Sequence, residues 1–360
     1  MAATIYESWQ RVTATTPPVD AFGQTLSFVI PASGLVGDLF LDISSSGALG
    51  GGTLCDFPAL AAIASVTVSA TGGATLHSYN YMPVCEYMLA EQSSASVRAA
   101  VLTNAGGTGA TTFVALAAPI FTFWSSWANN GEATPLYTAG SATTITVAVT
   151  FNAGSLVAGT LGTLTLNSVG LNYRLYSVSE AEFASYAALR SAGQLIYPSQ
   201  DWRTVVQQAV TSTPASVDAG AVIAVTPTTS RLLGLQLRTV TQAAYTARTY
   251  MVKTNPTAYS ITSATTPSTV LQATVTGVLS RDAATNLSRD SPITTGFTNY
   301  SGPLYWVVPA RNAADCPTIS SLNGLSIASI SNLVADSWLD VTSIVSARYA
   351  FSSTGVITRA

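Results

Sequence analysis

The stretch that decides the fold is "FVIPASGLVGDLFLDIS", Phe28 to Ser44. A strand ends near Pro31, and the triplet Leu35-Val36-Gly37 then opens a second strand. If Gly37 meets a neighbouring backbone closely or adopts a positive φ, a side chain at this position is costly. The stretch therefore predicts two successive strands joined by a short turn, with a glycine that the packing requires.

The second half of the chain contains a similar stretch, "IAVTPTTSRLLGLQLRTVT", Ile223 to Thr241. A strand again ends near a proline, Pro227, and Leu232-Leu233-Gly234 again precedes a strand. Each half then closes on a long alternating strand that ends in aromatic residues, "SVGLNYRLY" and "TSIVSARYAF". We therefore expect two similar units in which Leu35 corresponds to Leu232, and Tyr173 corresponds to Tyr349.

Most of the remaining sequence also predicts short strands. Thr144–Phe151, "TITVAVTF", alternates apolar with small or polar residues, as a half-buried strand does. Clusters of Gly, Ser, Asn and Pro separate such segments, and abundant Thr and Val favour a pleated surface. The pattern is typical of an all-β sandwich or barrel. The other predicted strands are Val66–Ser69, Leu164–Leu166, Val169–Leu175, Leu271–Val278 and Ile344–Phe351.

A few helices interrupt the strands. Ser179 and Glu182 form an S-x-x-E capping box, and Gly193 is a plausible stop for the helix that follows. Met82–Gln92 predicts a second helix, and Asp56 is expected to cap a short one. This reading divides the chain into an N-terminal arm at 1–19, a first β unit at 20–177, a helical connector at 178–214 and a second β unit at 215–360.

The composition is apolar and poor in charge. Hydrophobic residues make up 48% and charged residues 9% of the chain, against about 25% charged residues in typical soluble domains. The longest apolar run, Thr112 to Trp124, contains Pro119 and is shorter than the ~20 residues of a membrane span. The first residues lack a basic start followed by an apolar stretch, so we expect no secretory signal. The remaining interpretation is a neutral polar surface that partners partly cover.

Catalytic and binding signals are weak. The one histidine, His77, follows a predicted Gly-Gly hairpin and is interpreted as a turn or strand-end residue. Cys55, Cys85 and Cys316 are far apart and are expected to be free buried thiols. Asp282–Asp290 lacks the acidic spacing of a calcium loop, and the scattered arginines form no basic patch for specific nucleic-acid binding. We therefore expect no enzyme, no cofactor and no metal site.

The segment "FTFWSSWANN" is the remaining candidate for a functional role. It contains Phe121, Phe123, Trp124 and Trp127. Three interpretations stay open: a core strand with a loop, a subunit interface, and a platform on which sugars stack.

The segment from Thr25 to Ser78 resembles a known family. It runs as a strand, "GLVGDLFLDIS", a glycine-rich loop, the short helix "DFPALAAI", the strand "ASVTVSA" and "TGGATL". This order is similar to the first jelly roll of double jelly-roll major capsid proteins of tailless icosahedral phages, which belong to the adenovirus-like capsid lineage. The second half departs from the pattern, because no helix, strand and Gly-Gly stretch follows "LLGLQLRTVT".

The resemblance implies two tandem jelly-roll β-sandwiches with a few short helices, and trimers that form pseudo-hexagonal capsomers of an icosahedral shell. The chain would then assemble in the host cytoplasm and reside in the virion. Its partners would be itself, minor capsid and vertex proteins, and an internal membrane. The alternative is a β-sandwich adhesin or tail-fibre-like glycan-binding protein, and a carbohydrate-active enzyme comes third.

Overall fold

The structure, a computed structural model of the chain, describes most of the first half and shorter segments of the second. The chain divides into two compact units, one formed by Met1–Met88, Val97–Gln200 and Ala347–Ala360, the other by Leu89–Ser96 and Asp201–Ser346. The described residues are 6–32, 34–70, 75–91, 95–126, 134–139, 144–210, 216–218, 230–241, 260–263, 270–272, 304–307, 316–318, 325–328 and 337–359.

The first eleven strands form two antiparallel sheets and a small ribbon. Their bounds are β1 Tyr6–Thr13, β2 Thr25–Ile30, β3 Leu35–Ser46, β4 Gly51–Leu54, β5 Ile63–Ala70, β6 Thr75–Asn80, β7 Leu116–Ile120, β8 Leu136–Tyr137, β9 Ile145–Phe151, β10 Ala158–Thr160 and β11 Thr165–Ser177. One sheet has the order β1-β11-β3-β7, with β8 also on β3, and the other has the order β2-β9-β5-β6. Because the chain passes repeatedly from one sheet to the other, this is a jelly roll.

The strands β12 to β20 repeat this arrangement. They are β12 Ile196–Val210, β13 Ser216–Asp218, β14 Leu232–Thr241, β15 Ser260–Ser263, β16 Val270–Gln272, β17 Leu304–Val307, β18 Leu325–Ala328, β19 Ser337–Phe351 and β20 Ile357–Arg359. Their sheets have the orders β12-β19-β14-β17, with β20 on β19, and β13-β18-β15-β16. The two orders match those of the first jelly roll strand for strand. The predicted fold class, two jelly rolls in one all-β chain, is confirmed.

The internal repeat read from the sequence has a structural basis. Leu35 begins β3 and Leu232 begins β14, and these two strands hold the same place in their sheets. Each lies beside the long strand that closes its half, β11 or β19. The turn residue Pro227 lies outside the described residues. The expected correspondence between Leu35 and Leu232 therefore agrees with the strand order.

The expected correspondence between Tyr173 and Tyr349 is wrong. Tyr173 pairs with Leu39, two residues after the glycine of the first triplet. The residue two positions after the glycine of the second triplet is Gln236, and it pairs with Thr342. Tyr349 lies further along β19 and pairs with β20. The aromatic endings of the two closing strands thus look alike in sequence but occupy different registers.

The core of the first jelly roll follows from the alternation of apolar residues. In β9, every second residue is buried, while the residues between them are partly exposed. Alternate side chains of a strand point to opposite faces, so the two sheets pack their apolar faces together. The buried set in the β2-β9-β5 sheet includes Leu26, Phe28, Ile30, Val66, Val68, Ile145, Val147, Val149 and Phe151.

Four α-helices lie in the described ranges: α1 Pro58–Ala61, α2 Tyr81–Glu91, α3 Ala95–Asn104 and α4 Glu180–Ser191. The Ser179 hydroxyl accepts a hydrogen bond of 3.3 Å from the backbone N–H of Glu182, which confirms the predicted N-cap of α4. Gly193 follows the helix with φ 66°. At α1 the N-cap position holds Phe57, not Asp56, without a side-chain cap. None of the described helices is long and apolar enough to span a membrane.

The residues expected to form an arm and a connector contain strands. Within 1–19, β1 pairs with β11 along its whole length, from Tyr6 opposite Ser177 to Thr13 opposite Gly170. Within 178–214, β12 follows α4 and pairs with β19. Both are edge strands of their sheets, and edge strands tolerate polar residues and proline such as Pro198. β1 shows no alternation because Glu7 to Arg11 are all exposed, and β12 shows none because the adjacent residues Asp201 and Trp202 are both buried.

We predict that Gly37→Ala lowers the free energy of unfolding by about 1–3 kcal/mol, because added atoms in a packed site force neighbours to shift. A Cβ at Gly37 would meet the ring of Tyr176, which is only 8% exposed. Gly170→Ala is the matched control, because its Cβ would meet the end of the flexible, half-exposed Arg11 side chain. Its expected cost is about 0.5 kcal/mol or less. Chemical denaturation measures both, and equal costs would contradict the role assigned to Gly37.

Candidate functional site

Three of the four aromatic residues singled out in the sequence lie in the core. Phe121, Phe123 and Trp124 are 0% exposed in the single chain. Phe123 stacks on Tyr349 with ring centroids 4.0 Å apart and meets the edge of Trp124 at 4.8 Å. Their burial agrees with the core interpretation, because they offer no surface to a subunit or a sugar, but they lie in the loop and turn after β7 and not in a strand. Trp127 lies outside the described residues.

The loop that carries these rings is fixed to the start of β3. The indole Nε1 of Trp124 donates to the carbonyl oxygen of Gly37 at 3.0 Å. The next residue of β3, Asp38, is 6% exposed and accepts hydrogen bonds from the backbone N–H of Ser126 at 2.8 Å and from its hydroxyl. Charge-assisted bonds of this kind hold a loop firmly. The aromatic segment therefore serves to close the core beside Gly37.

The single histidine is also a core residue. His77 is 1% exposed and lies inside β6, where the expectation was a turn or strand end. Its ring centroid is 5.2 Å from that of Tyr79 and 6.4 Å from that of Tyr349. The Gly-Gly hairpin before it lies outside the described residues. In the part of the chain that the structure describes, no three His, Cys, Asp or Glu side chains converge to hold a metal ion.

The three cysteines are buried, as expected, and the surroundings of Cys85 oppose formation of its thiolate. Burial raises the pKa of the Cys85 thiol, and burial also raises the pKa of Tyr79 and Tyr81 beside it. The Tyr81 hydroxyl donates to the carbonyl oxygen of Pro119 at 2.8 Å, and the Tyr79 hydroxyl accepts from the backbone N–H of Phe121 at 2.9 Å. The thiolate is the reactive form of cysteine, and burial disfavours it at Cys85. We therefore interpret Cys85 as a structural residue.

The outer face of the first sheet gathers charges and aromatic rings. Trp9 is 50% exposed, its ring lies 5.6 Å from that of Phe40, and the guanidinium of Arg174 lies 5.1 Å above it. Arg174 pairs with Glu7 at 3.5 Å, and Arg11 pairs with Asp42 at 3.6 Å. We call this set, Glu7, Trp9, Arg11, Phe40, Asp42 and Arg174, the β1 face.

The β1 face suits recognition of another macromolecule, because it combines an exposed tryptophan with charges of both signs on one side of a sheet. Sequence reasoning missed it. The available signal was the i, i+2, i+4 spacing of Glu7, Trp9 and Arg11, which places these residues on one side of a strand. This signal is weak because the intervening residues, Ser8 and Gln10, are also polar and exposed, so the segment does not alternate between apolar and polar residues.

Comparison with known proteins identifies the fold. No protein-family profile matches the chain, and no curated protein matches it. Among solved structures, the PBCV-1 virus capsid matches with a TM-score of 0.71 and 13% identity, over 100% of this chain and 97% of that one. The Faustovirus major capsid protein matches with 0.68 and 10%, over 97% and 91%. The mavirus major capsid protein matches with 0.57 and 10%, over 98% and 90%. The chain has the double jelly-roll fold of these capsid proteins.

We predict that Phe123→Ala lowers the free energy of unfolding of the chain by about 3–5 kcal/mol, as removal of a buried ring does. Val19→Ala is the control, because Val19 is 90% exposed and surface substitutions stay within about 0.5 kcal/mol. Denaturation of the dissociated chain is the measurement. An unchanged denaturation midpoint, with loss only of subunit association, would support the interpretation of Phe123 as an interface residue.

We predict that the three cysteines, all buried, do not react with a maleimide in the native protein and react completely in denaturant. Mass spectrometry counts the labels. Rapid labelling of Cys85 before unfolding would show that the thiol is reachable and ionised, against the direction in which burial moves its pKa.

Proposed function

We propose that this chain is the major capsid protein of an icosahedral virus, a structural subunit without catalytic function. The observation that carries the proposal is the presence of two jelly rolls with the same strand order in one chain. Solved structures of this fold, matched over nearly their whole length, include proteins described as viral capsid or major capsid proteins. The fold supports this assignment, and the core positions of His77, Cys85 and Phe123 agree with a structural role.

The doubling of the jelly roll gives a physical reason for a trimer. Identical patches that pair head to tail around a ring generate closed cyclic symmetry. A ring of three chains with two similar units each has six units and a nearly six-sided outline, which can tile a surface. We propose that such trimers are the capsomers and that contacts between capsomers build the shell.

The low charge of the chain fits this assembly. Charged residues make up 9% of the sequence, and charges are depleted from the cores of protein interfaces because their desolvation costs free energy. The proposed contacts are therefore apolar or hydrogen-bonded and neutral. Trp127 remains the candidate from the aromatic segment for such a contact.

The proposal extends to the setting of the chain. The subunit would assemble in the host cytoplasm and reside in the virion shell, with minor capsid proteins, vertex proteins and an internal membrane as further partners. The arginines are spread along the sequence and form no cluster. This supports a shell that encloses its genome without binding the nucleic acid specifically.

We predict that the purified protein is a trimer of about three times the chain mass of 37.1 kDa, and that its dissociation depends weakly on salt, because screening acts on charges. Light scattering on dilution at low and high ionic strength measures both properties, and electron microscopy detects shells or six-sided capsomers. A stable monomer at micromolar concentration that binds glycans would contradict the proposal and support the adhesin. A trimer that salt dissociates would contradict only the neutral interface.

A further inference from the structure

The strand β1 is exposed on both faces as well as at one edge. It lies at the end of the order β1-β11-β3-β7, so β11 covers one edge, and no strand among the described residues covers the other. Every residue from Glu7 to Arg11 is exposed. A strand of 8 residues in this position presents a row of backbone N–H and C=O groups that another strand can pair with.

Charged side chains usually protect such an edge from unwanted pairing. On β1 the charges are Glu7 and Arg11, of opposite sign and at equal distances on either side of Trp9. An unrelated strand offers these charges no matched neighbours on the added strand. Pairing with an antiparallel copy of the same strand, centred on Trp9, matches them both.

We propose that β1 pairs edge to edge with β1 of a second copy of this chain, antiparallel and about a two-fold axis at Trp9. In this register Trp9 lies opposite Trp9 of the second copy, Glu7 lies opposite its Arg11, and Ser8 lies opposite its Gln10. A contact of this kind is isologous: the same patch is used by both chains, and the pair closes on itself. The contact joins the β1-β11-β3-β7 sheets of the two chains into one continuous sheet.

The charges already present on the β1 face extend across this contact. Within one chain, Arg174 lies 3.5 Å from Glu7, and Arg11 lies 3.6 Å from Asp42. Across the axis, the row becomes Arg174, Glu7, then Arg11 and Asp42 of the second copy, with alternating signs. Opposite charges and aromatic pairs directly across an antiparallel ladder are stabilising, and like charges are destabilising. The arrangement therefore favours the self-complementary register over others.

The first experiment is a site-specific crosslink. Trp9→Cys places a thiol on the proposed axis, where opposed Cα atoms are within disulfide range. Thr13→Cys is the matched control: it lies on the same face of the same exposed strand, but the two copies of this position are about 26 Å apart in the proposed register, at about 3.3 Å per residue. We expect a disulfide-linked dimer of the Trp9→Cys chain on non-reducing electrophoresis, and none of the Thr13→Cys chain. Equal linkage at both positions would overturn the proposal.

The second experiment is a charge exchange in the Trp9→Cys background. We expect Glu7→Arg or Arg11→Glu alone to reduce linkage about tenfold, because each creates two like-charge contacts across the axis. The double variant restores opposite charges across the axis and should recover the linkage. Within the chain, however, the double variant leaves Arg174 and Asp42 facing like charges. If the single variants reduce linkage only by breaking these intrachain pairs, the double variant should show the least linkage of the three variants. That result would overturn the proposal.

Salt separates this contact from the capsomer proposed above. Linkage through β1 depends on charge pairs at the surface and is expected to fall with ionic strength, whereas the trimer is expected to persist. A trimer without β1 linkage at any salt concentration overturns the edge contact and leaves the capsid assignment intact. Linkage of a chain that is otherwise monomeric supports the edge contact and contradicts the capsomer.

Discussion

The first jelly roll depends on the pairing of β3 with β11. These two long strands lie in the middle of their sheet: β11 also holds β1, and β3 also holds β7 and β8. The register at the start of β3 places Gly37 against the ring of Tyr176, which only a residue without a side chain permits. In the same strand, the carbonyl oxygen of Gly37 accepts a hydrogen bond from Trp124, and the carboxylate of Asp38 accepts one from Ser126. The residues Gly37 and Asp38 at the start of β3 thus connect the sheet, the aromatic core and the loop after β7.

Sequence reasoning recovered the strands at this centre because they are locally encoded. A proline that ends one strand, a Leu-aliphatic-Gly triplet that opens the next, and strict alternation as in β9 each have a direct backbone cause. The N-cap of α4 at Ser179 is encoded just as locally. The repeat of the triplet at Leu232 then gave the doubling of the unit, from which the fold class follows. The register of the closing strands was not recoverable, because pairing depends on bulges such as that between Leu232 and Gly234.

The errors concern residues whose role is decided by contacts distant in sequence. In β1 the residues from Glu7 to Arg11 are all exposed, and in β12 the adjacent residues Asp201 and Trp202 are both buried. Neither segment therefore alternates, and the sequence resembles an arm or a connector. From the sequence, Phe123 was compatible with a core, an interface or a sugar platform, with the core favoured, and the position of Tyr349 against its ring decides between them. His77 reaches the interior because it lies within β6 and beside Tyr79. Each residue type was ambiguous, and tertiary packing resolved it.

The scarcity of charge makes the position of each ion pair informative. The chain has 14 basic and 17 acidic residues in 360. Four charged groups of the β1 face lie on the outer surface of one sheet, beside an edge that no strand among the described residues covers. Exposed ion pairs contribute little to the stability of a single chain, so folding alone gives weak reason to place them there. In the proposed edge contact, their alternating signs distinguish one partner register from the others, as charge patterns do at specific interfaces. With the proposed apolar and neutral contacts supplying most of the binding free energy, the proposed edge contact would select which neighbouring subunit is bound.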